Sequence, residues 1–316
     1  MAEVAAAPRA ALVREVAEGL GRAQPELPAK FFYDERGSRL FEEITRLPEY
    51  YLTRTERALL EQWMPEWVAS LAPRALVELG AGSAEKTRTV LDAMIAAGSG
   101  QVYVPVDVSA EFLDQTARRI RATYPALRVM PAVADFTTAL ALPAEVPAPT
   151  LHAFLGSTIG NFTPGDAAAL LRRVRARMGG GDRFLMGVDL RKDPARIEAA
   201  YNDAAGVTAE FNRNLLRVVN ALAGADFDPD AWEHRAFYNR AEHWIEMHLV
   251  SARAQTVTLP DGAAFAFAAG DTIRTEISAK HDRGSVEAMF GAAGLRIERW
   301  ETDAEGLYAI LLGAPA

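Results

Sequence analysis

ALVELGAGSAEKTRTVLDAMIAAGSGQVYVPVDVS, residues 75–109, reads as a strand, a turn, a helix and a second strand in direct succession. The apolar run ALVEL leads into Gly80-Ala81-Gly82, and Val90, Leu91, Met94 and Ile95 then recur on one helical face. VYVPVDV follows as another buried-strand run. Outward from this unit the rhythm continues. A helix spans about 110 to 122, LRVMPAVADF holds a third strand, and LHAFLGSTIGNF reads as a fourth. Thr163-Pro164 opens a helix ending at Gly179-Gly180-Gly181, and RFLMGVDL is a fifth strand. Strands alternating with helices imply βαβ units and a mostly parallel sheet covered on both faces.

Before this region, Leu12, Val13, Val16 and Leu20 mark an amphipathic helix, and an aromatic-rich segment follows through Tyr51. Thr53 and Glu56 have capping-box spacing at a helix start. After Lys192 the rhythm breaks. A long helical stretch, RIEAAYNDAAGVTAEFNRNLLRVVNAL, precedes strand-like alternation in HWIEMHLVSA, AQTVTL, AFAFAA and IRTEISA. The tail returns to a helix and two strands that can complete the first sheet. The expected organisation is a Rossmann-like α/β domain, residues 1–191 and 280–316, with an inserted α+β lobe at 192–279.

Bulk properties narrow the function. Across 316 residues, 34 Lys and Arg face 42 Asp and Glu, a net charge of -8, which disfavours a nucleic-acid or membrane-surface partner. There is no cysteine, so disulfides, thiolate metal sites and cysteine nucleophiles are excluded. The N-terminus, MAEVAAAPRAALVREVAEGL, carries Glu and Arg throughout and lacks a signal-peptide core, and no apolar run approaches a bilayer span. The expected location is the cytoplasm. His243, Glu246 and His248 invite a metal reading, but in a strand His243 points away from the other two, so no metal is expected.

Gly80 and Gly82 allow a tight strand-to-helix turn and close approach of backbone to a ligand. Asp107 ends the second strand, where a carboxylate can accept both ribose hydroxyls, and Asp135-Phe136 ends the third, where an acid and a ring can hold adenine. Both aspartates could instead cap helices. A dinucleotide turn wants a third glycine where Glu85 stands, and no phosphate-cradling lysine motif is present. S-adenosylmethionine carries no phosphate, and the acidic Glu78 suits its ammonium and sulfonium. Lys86 could meet the methionine carboxylate or be a solvated lysine.

At this point the residues resemble a known family. FFYDERGSRLFEEITRLPEYYLTRTE, VELGAGSAEKT, FLGSTIGNFTP, YNDAAGVTAEFNRN and TEISAKH, in order along nearly the whole chain, look like the histidine-specific Nα-methyltransferases, which make hercynine on the way to ergothioneine. The resemblance implies a class I methyltransferase fold with a substrate lobe, acting as a monomer on L-histidine. It implies that Gly80, Lys86, Asp107, Asp135 and Phe136 hold S-adenosylmethionine. It assigns Tyr50, Met247, Glu276 and Ser278 to the imidazole, and Gly156, Asn161 and Tyr201 to the rest of the substrate. It places Tyr33 near the amine, so Tyr33, Asn161 and Tyr201 are the catalytic candidates.

The residues support part of this unaided. Strict alternation in IRTEISA puts Arg274, Glu276 and Ser278 on one face, where an acid and an alcohol can engage an imidazole N–H and the opposite nitrogen. The same pattern also fits a half-exposed strand with Glu276 in water. Asn161 could be a turn residue and Tyr33 a packing residue. Methyl transfer would be an in-line displacement by the neutral amine, resting mainly on alignment. Other readings are a related methyltransferase with another acceptor, or a catalytically silent adenosyl-binding protein. An NAD dehydrogenase lacks the third glycine.

Overall fold

The structure, a computed structural model, describes residues 9–136, 138, 140 and 142–316. Helix α1 (Arg9–Leu20) buries the predicted stripe of Leu12, Val13, Val16 and Leu20. A 3-10 turn (Ala29–Phe32) buries Phe31 and Phe32. Asp34 caps α2 (Glu35–Ile44), its carboxylate accepting the Gly37 amide at 2.7 Å. Helix α3 (Tyr51–Leu71) starts before the expected capping box, so Thr53 lies inside the first turn and Glu56 is fully buried with other partners.

β1 (Ala75–Leu79), α4 (Thr87–Ala96), β2 (Val102–Asp107) and α5 (Ala110–Thr123) follow as the periodicity predicts. Ile95 departs from it: the side chain is exposed, leaving Val90, Leu91 and Met94 as the buried face of α4. The third strand comes in two pieces, β3 (Arg128–Val129) and β4 (Ala132–Val133), each parallel to β2. Pro131 stands between them and has no N–H for a ladder. β5 (Thr150–Phe154) stops far short of Phe162, because Gly156 (φ +80°) and Ser157 (φ +57°) turn the chain left-handed into a 3-10 turn, Thr158–Asn161. Thr163 caps α6 (Pro164–Arg175), with Pro164 in the first turn as predicted, and β6 (Arg183–Asp189) follows.

The single long helix expected next is two helices, α7 (Pro194–Tyr201) and α8 (Val207–Ala223). Asp203 interrupts it by accepting the Val207 and Thr208 amides, both at 2.8 Å, which caps α8 in mid-stretch. β7 (Trp232–Asn239), β8 (Trp244–Ser251), β9 (Gln255–Thr258), β10 (Ala264–Phe267) and β11 (Thr272–Ala279) come next. The chain closes with α9 (Arg283–Ala292), β12 (Leu295–Thr302) and β13 (Tyr308–Pro315).

These elements form two compact units, residues 52–192 with 279–316, and residues up to 51 with 193–278. The first holds an eight-stranded sheet in the order β12-β13-β6-β5-β1-β2-β3, with β4 also on β2. Strands β1, β2, β5 and β6 are parallel neighbours; β13 runs against both β6 and β12. The tail therefore completes the sheet, as expected. Its core runs from Val77, Val104 and Phe154 to Phe184, Phe290 and Leu311. The chain reverses direction across the sheet between β1 and β5, and ligands of open α/β sheets lie at the carboxyl ends beside such a switch.

The second unit holds the sheet β11-β8-β7, the hairpin β9-β10, and helices α1, α2, α7 and α8. Its membership differs from that expected: residues 9–51 pack with this lobe, not with the large sheet. Phe32 stacks on Phe211 of α8 at 4.5 Å, and Glu26 forms a parallel bridge to Arg274 of β11. Those apolar and ladder contacts fix the N-terminal segment to the lobe.

Candidate active site

In the large-sheet unit the turn after β1 sits at the switch point. Gly80 (φ +64°) and Gly82 (φ +51°) adopt the left-handed conformation that a side chain resists. The Gly80 amide donates to Val106 O at 2.8 Å, and Asp107 fixes the turn from the adjacent strand. Its carboxylate accepts the Gly82 amide at 3.0 Å and the Ser109 amide at 3.1 Å. A carboxylate offers about four lone-pair positions, so these bonds leave acceptor capacity. Phe136 lies beside the turn and packs edge-on against Phe154 at 5.6 Å. Asp135 is half-buried, and its carbonyl accepts the Thr138 amide at 3.1 Å. Asn161 ends the 3-10 turn after β5 and is half-buried, not a strand residue.

Glu78 does not serve as the sequence suggests. It is buried, accepting from the Thr87 hydroxyl at 2.6 Å and the Tyr103 phenol at 2.5 Å. Burial pushes its carboxyl up to about 7 against those hydrogen bonds. The carboxyl is turned to the interior of the unit, so it is not a surface for a ligand cation. Lys86, at the start of α4, pairs with the buried Glu56 carboxylate, which also accepts the Gly156 amide at 2.7 Å and the Tyr308 phenol at 2.7 Å. Glu56 entered the sequence reading only as a helix cap.

In the lobe unit, Tyr33 follows the 3-10 turn and meets Phe41 and Phe211 edge-on, each at 5.9 Å. Tyr50 is buried with its ring 6.3 Å from that of Tyr201. The Tyr201 phenol donates to Ser278 Oγ at 2.9 Å. Along β11 the burial alternates through Ile273 and Thr275 and then shifts phase: Glu276 and Ile277 are both half-buried and Ser278 is buried. The strict alternation expected for Arg274, Glu276 and Ser278 therefore fails in burial. Met247 is buried in β8, and its carbonyl oxygen lies 3.1 Å from Thr275 Oγ1.

A polar network behind Tyr201 escaped the sequence reading. His234 Nε2 lies 2.8 Å from Tyr201 O, a pure acceptor, so Nε2 carries the proton. Nδ1 is then the acceptor for the Asn212 amide at 2.9 Å. Asn212 also donates to His248 O at 3.0 Å and accepts the Thr275 hydroxyl at 2.7 Å. Burial holds the His234 imidazole below its usual pKa despite the Tyr201 carbonyl, which agrees with this neutral tautomer. The available signal was Asn212 itself, an amide inside the apolar stripe of α8.

Residues 12–314 match the family described as histidine-specific methyltransferase, SAM-dependent. The chain is 44% identical over 309 residues to a histidine N-alpha-methyltransferase of Mycobacterium tuberculosis, covering 96% of this chain and 95% of that one. It is 31% identical over 296 residues to ergothioneine biosynthesis protein 1 of Neurospora crassa, covering 87% of this chain and 32% of that protein. A crystal structure of an S-adenosylmethionine-dependent methyltransferase from Clostridium acetobutylicum superposes with a TM-score of 0.51 at 12% identity, over 88% of this chain and 98% of that one, a likeness of fold.

Proposed function

The chain belongs to the family of histidine-specific, S-adenosylmethionine-dependent methyltransferases, and from that footing we propose that it trimethylates the α-amino group of L-histidine to hercynine, within ergothioneine biosynthesis. The observation that carries the histidine reading is the bond from Tyr201 to Ser278. It joins, across 77 positions, a residue assigned to the acceptor's amino-acid end and one assigned to its imidazole. A hydroxyl both donates and accepts, so Ser278 is of the chemical type that can meet an imidazole nitrogen. The half-buried carboxylate of Glu276 supplies the acceptor for the ring N–H.

The large-sheet unit fits S-adenosylmethionine. Its left-handed glycine turn, the spare acceptor capacity of Asp107 and the Phe136 ring suit an adenosine, and Glu85 stands where a dinucleotide turn needs glycine. The donor supplies an electrophilic methyl group on a sulfonium. Asp107 takes the ribose hydroxyls, Asp135 and Phe136 take adenine, and Lys86 takes the methionine carboxylate. Tyr50 and Met247 flank the imidazole, Gly156, Asn161 and Tyr201 hold the amino-acid end, and Tyr33 orients the amine. Each round begins with loss of one proton from the ammonium nitrogen, and the neutral amine then forms its N–C bond as the C–S bond breaks. The residues contribute alignment above all, worth a large part of such a barrier.

The reading extends to a cytoplasmic monomer without metal, nucleic-acid or membrane partner. The net charge of -8 supports it, and among the described residues no helix is long and apolar enough to cross a membrane. The test is to incubate the chain with donor and each amino acid in turn and read masses. Histidine gains up to three methyl groups; methylation of another amino acid with histidine untouched refutes the specificity. Glu276→Ala lowers kcat/KM for histidine by about tenfold or more, the scale of a lost charged hydrogen bond, with donor affinity unchanged.

A further inference from the structure

We propose that Glu56 is the positioning residue of the donor site: it holds the Lys86 ammonium and the Gly156 amide in register at the crest between β1 and β5. The proposal rests on the reading that Lys86 meets the donor's methionine carboxylate. The geometry behind it lies wholly within the large-sheet unit.

Glu56 projects from α3 and is fully buried, although a carboxylate avoids burial unless its lone pairs are matched. Here they are matched from three separate places. Oε2 pairs with Lys86 Nζ at the start of α4, just beyond the glycine turn. Oε1 accepts the Gly156 amide at 2.7 Å, where the chain turns left-handed after β5, and the Tyr308 phenol of β13 at 2.7 Å. The sheet is cut away to admit this carboxylate. A Cβ on Gly187 of β6 would stand 2.0 Å from Glu56 Oε1 and 2.6 Å from the Tyr308 hydroxyl, so no other residue fits without expelling the group.

An arrangement of this kind is a poor way to gain stability, since well-packed apolar side chains hold a core as well as a buried ion pair does. What it fixes is place. The ammonium of Lys86 is a point charge on a flexible four-carbon stem with three donor protons. Its side chain retains 21% exposure, so it reaches Glu56 on one side and the surface of the unit on the other. Glu56 restricts that stem to one position and ties it to the turn after β5. A ligand carboxylate then meets a charge already in place, and the ordering cost of Lys86 is not charged against binding. Glu78, the other buried acid near this lysine, does not substitute, because Thr87 and Tyr103 hold it.

The experiment is calorimetric binding of S-adenosylhomocysteine, with no acceptor and no turnover, to the parent chain, Glu56→Gln, Lys86→Met and the double variant. Glu56→Gln weakens binding by about tenfold, the scale of one charge-assisted hydrogen bond. The double variant binds within about twofold of Lys86→Met, because Glu56 acts through Lys86 and the two losses do not add. Gly187→Ala, which displaces the carboxylate without removing it, weakens binding in the same direction. Parent-like affinity in a folded Glu56→Gln, or losses that multiply in the double variant, overturns the proposal in favour of a purely structural role. Should Glu56→Gln alone fail to fold, Lys86→Met against the double variant, where neither charge remains, still gives the deciding ratio. A parent chain that binds no S-adenosylhomocysteine overturns the donor reading itself and the proposal with it.

Discussion

Glu56 and Glu78 are both buried in one unit and have different partners. Glu56 has an ammonium; Glu78 has only two hydroxyls, and burial outweighs them, carrying its carboxyl from 4.5 up to about 7, with Glu56 adding to the rise and Lys86 opposing it. A folded-state pKa above the unfolded one means that the protonated form is favoured in the fold. The stability Glu78 contributes is therefore complete below about pH 4.5 and is lost as pH rises through about 7. Glu78→Gln removes that loss. The variant gains on its parent between those limits, by about 3 kcal/mol at most, and the difference is flat outside them. Urea midpoints taken across the pH range check this, and a difference that ignores pH refutes it. The place of Asp107 was legible in the sequence because a strand end beside a glycine turn is a local feature. Glu78 was misread because one hydroxyl that claims it, on Tyr103, lies 25 positions away.

Among the secondary-structure elements, apolar periodicity identified nearly every run but not what stops one. Pro131 divides the third strand, the left-handed pair Gly156-Ser157 ends the fourth early, and Asp203 divides the long helix by capping its second half. Each break is the act of one or two residues, and a pattern averaged over a helical or strand window does not see it. The reverse holds for α8, where polar residues inside the buried face join distant elements. Asn212 binds β7 through His234, β8 through the His248 carbonyl and β11 through Thr275, contacts spanning 22 to 63 positions. Asn212→Leu keeps the size and the helix but leaves the His234 ring nitrogen and the His248 carbonyl without this amide, and Thr275 without its shorter acceptor. It should cost about 2–4 kcal/mol of stability by chemical denaturation and raise KM for histidine by loosening Tyr201, while donor affinity stays put. A stability loss below about 0.5 kcal/mol, the level of an ordinary surface change, would make the network incidental.

For the whole chain, the two-unit division follows from sequence rhythm, since a stretch without βαβ alternation interrupts one with it. The N-terminal segment was assigned to the wrong unit because its bridge to Arg274 joins residues 248 apart, a pairing no local pattern encodes. The division leaves the large-sheet unit discontinuous, with crossings at 192/193 and 278/279. Both crossings are anchored on one residue. Asp189, the fully buried last residue of β6, pairs with Lys192 beside the first crossing and with Lys280, at 2.9 Å, beside the second. Burial would raise the Asp189 carboxyl, but the two lysines outweigh it and hold it below its usual value, while burial pulls Lys192 down to about 8 even with its partner present. Backbone bonds reinforce the same point: the His281 amide donates to Asp189 O at 2.8 Å and the Arg191 amide to His281 O at 2.9 Å. Asp189→Ala would leave two buried ammonium groups without this carboxylate, a change that costs about 3–5 kcal/mol when one member of a buried pair is removed. The expected result is a lower urea midpoint together with faster hydrogen exchange at the Arg191 and His281 amides, on both crossings at once. Faster exchange at one crossing alone would mean that Asp189 serves a single lysine, and the chain would then hold its two junctions independently.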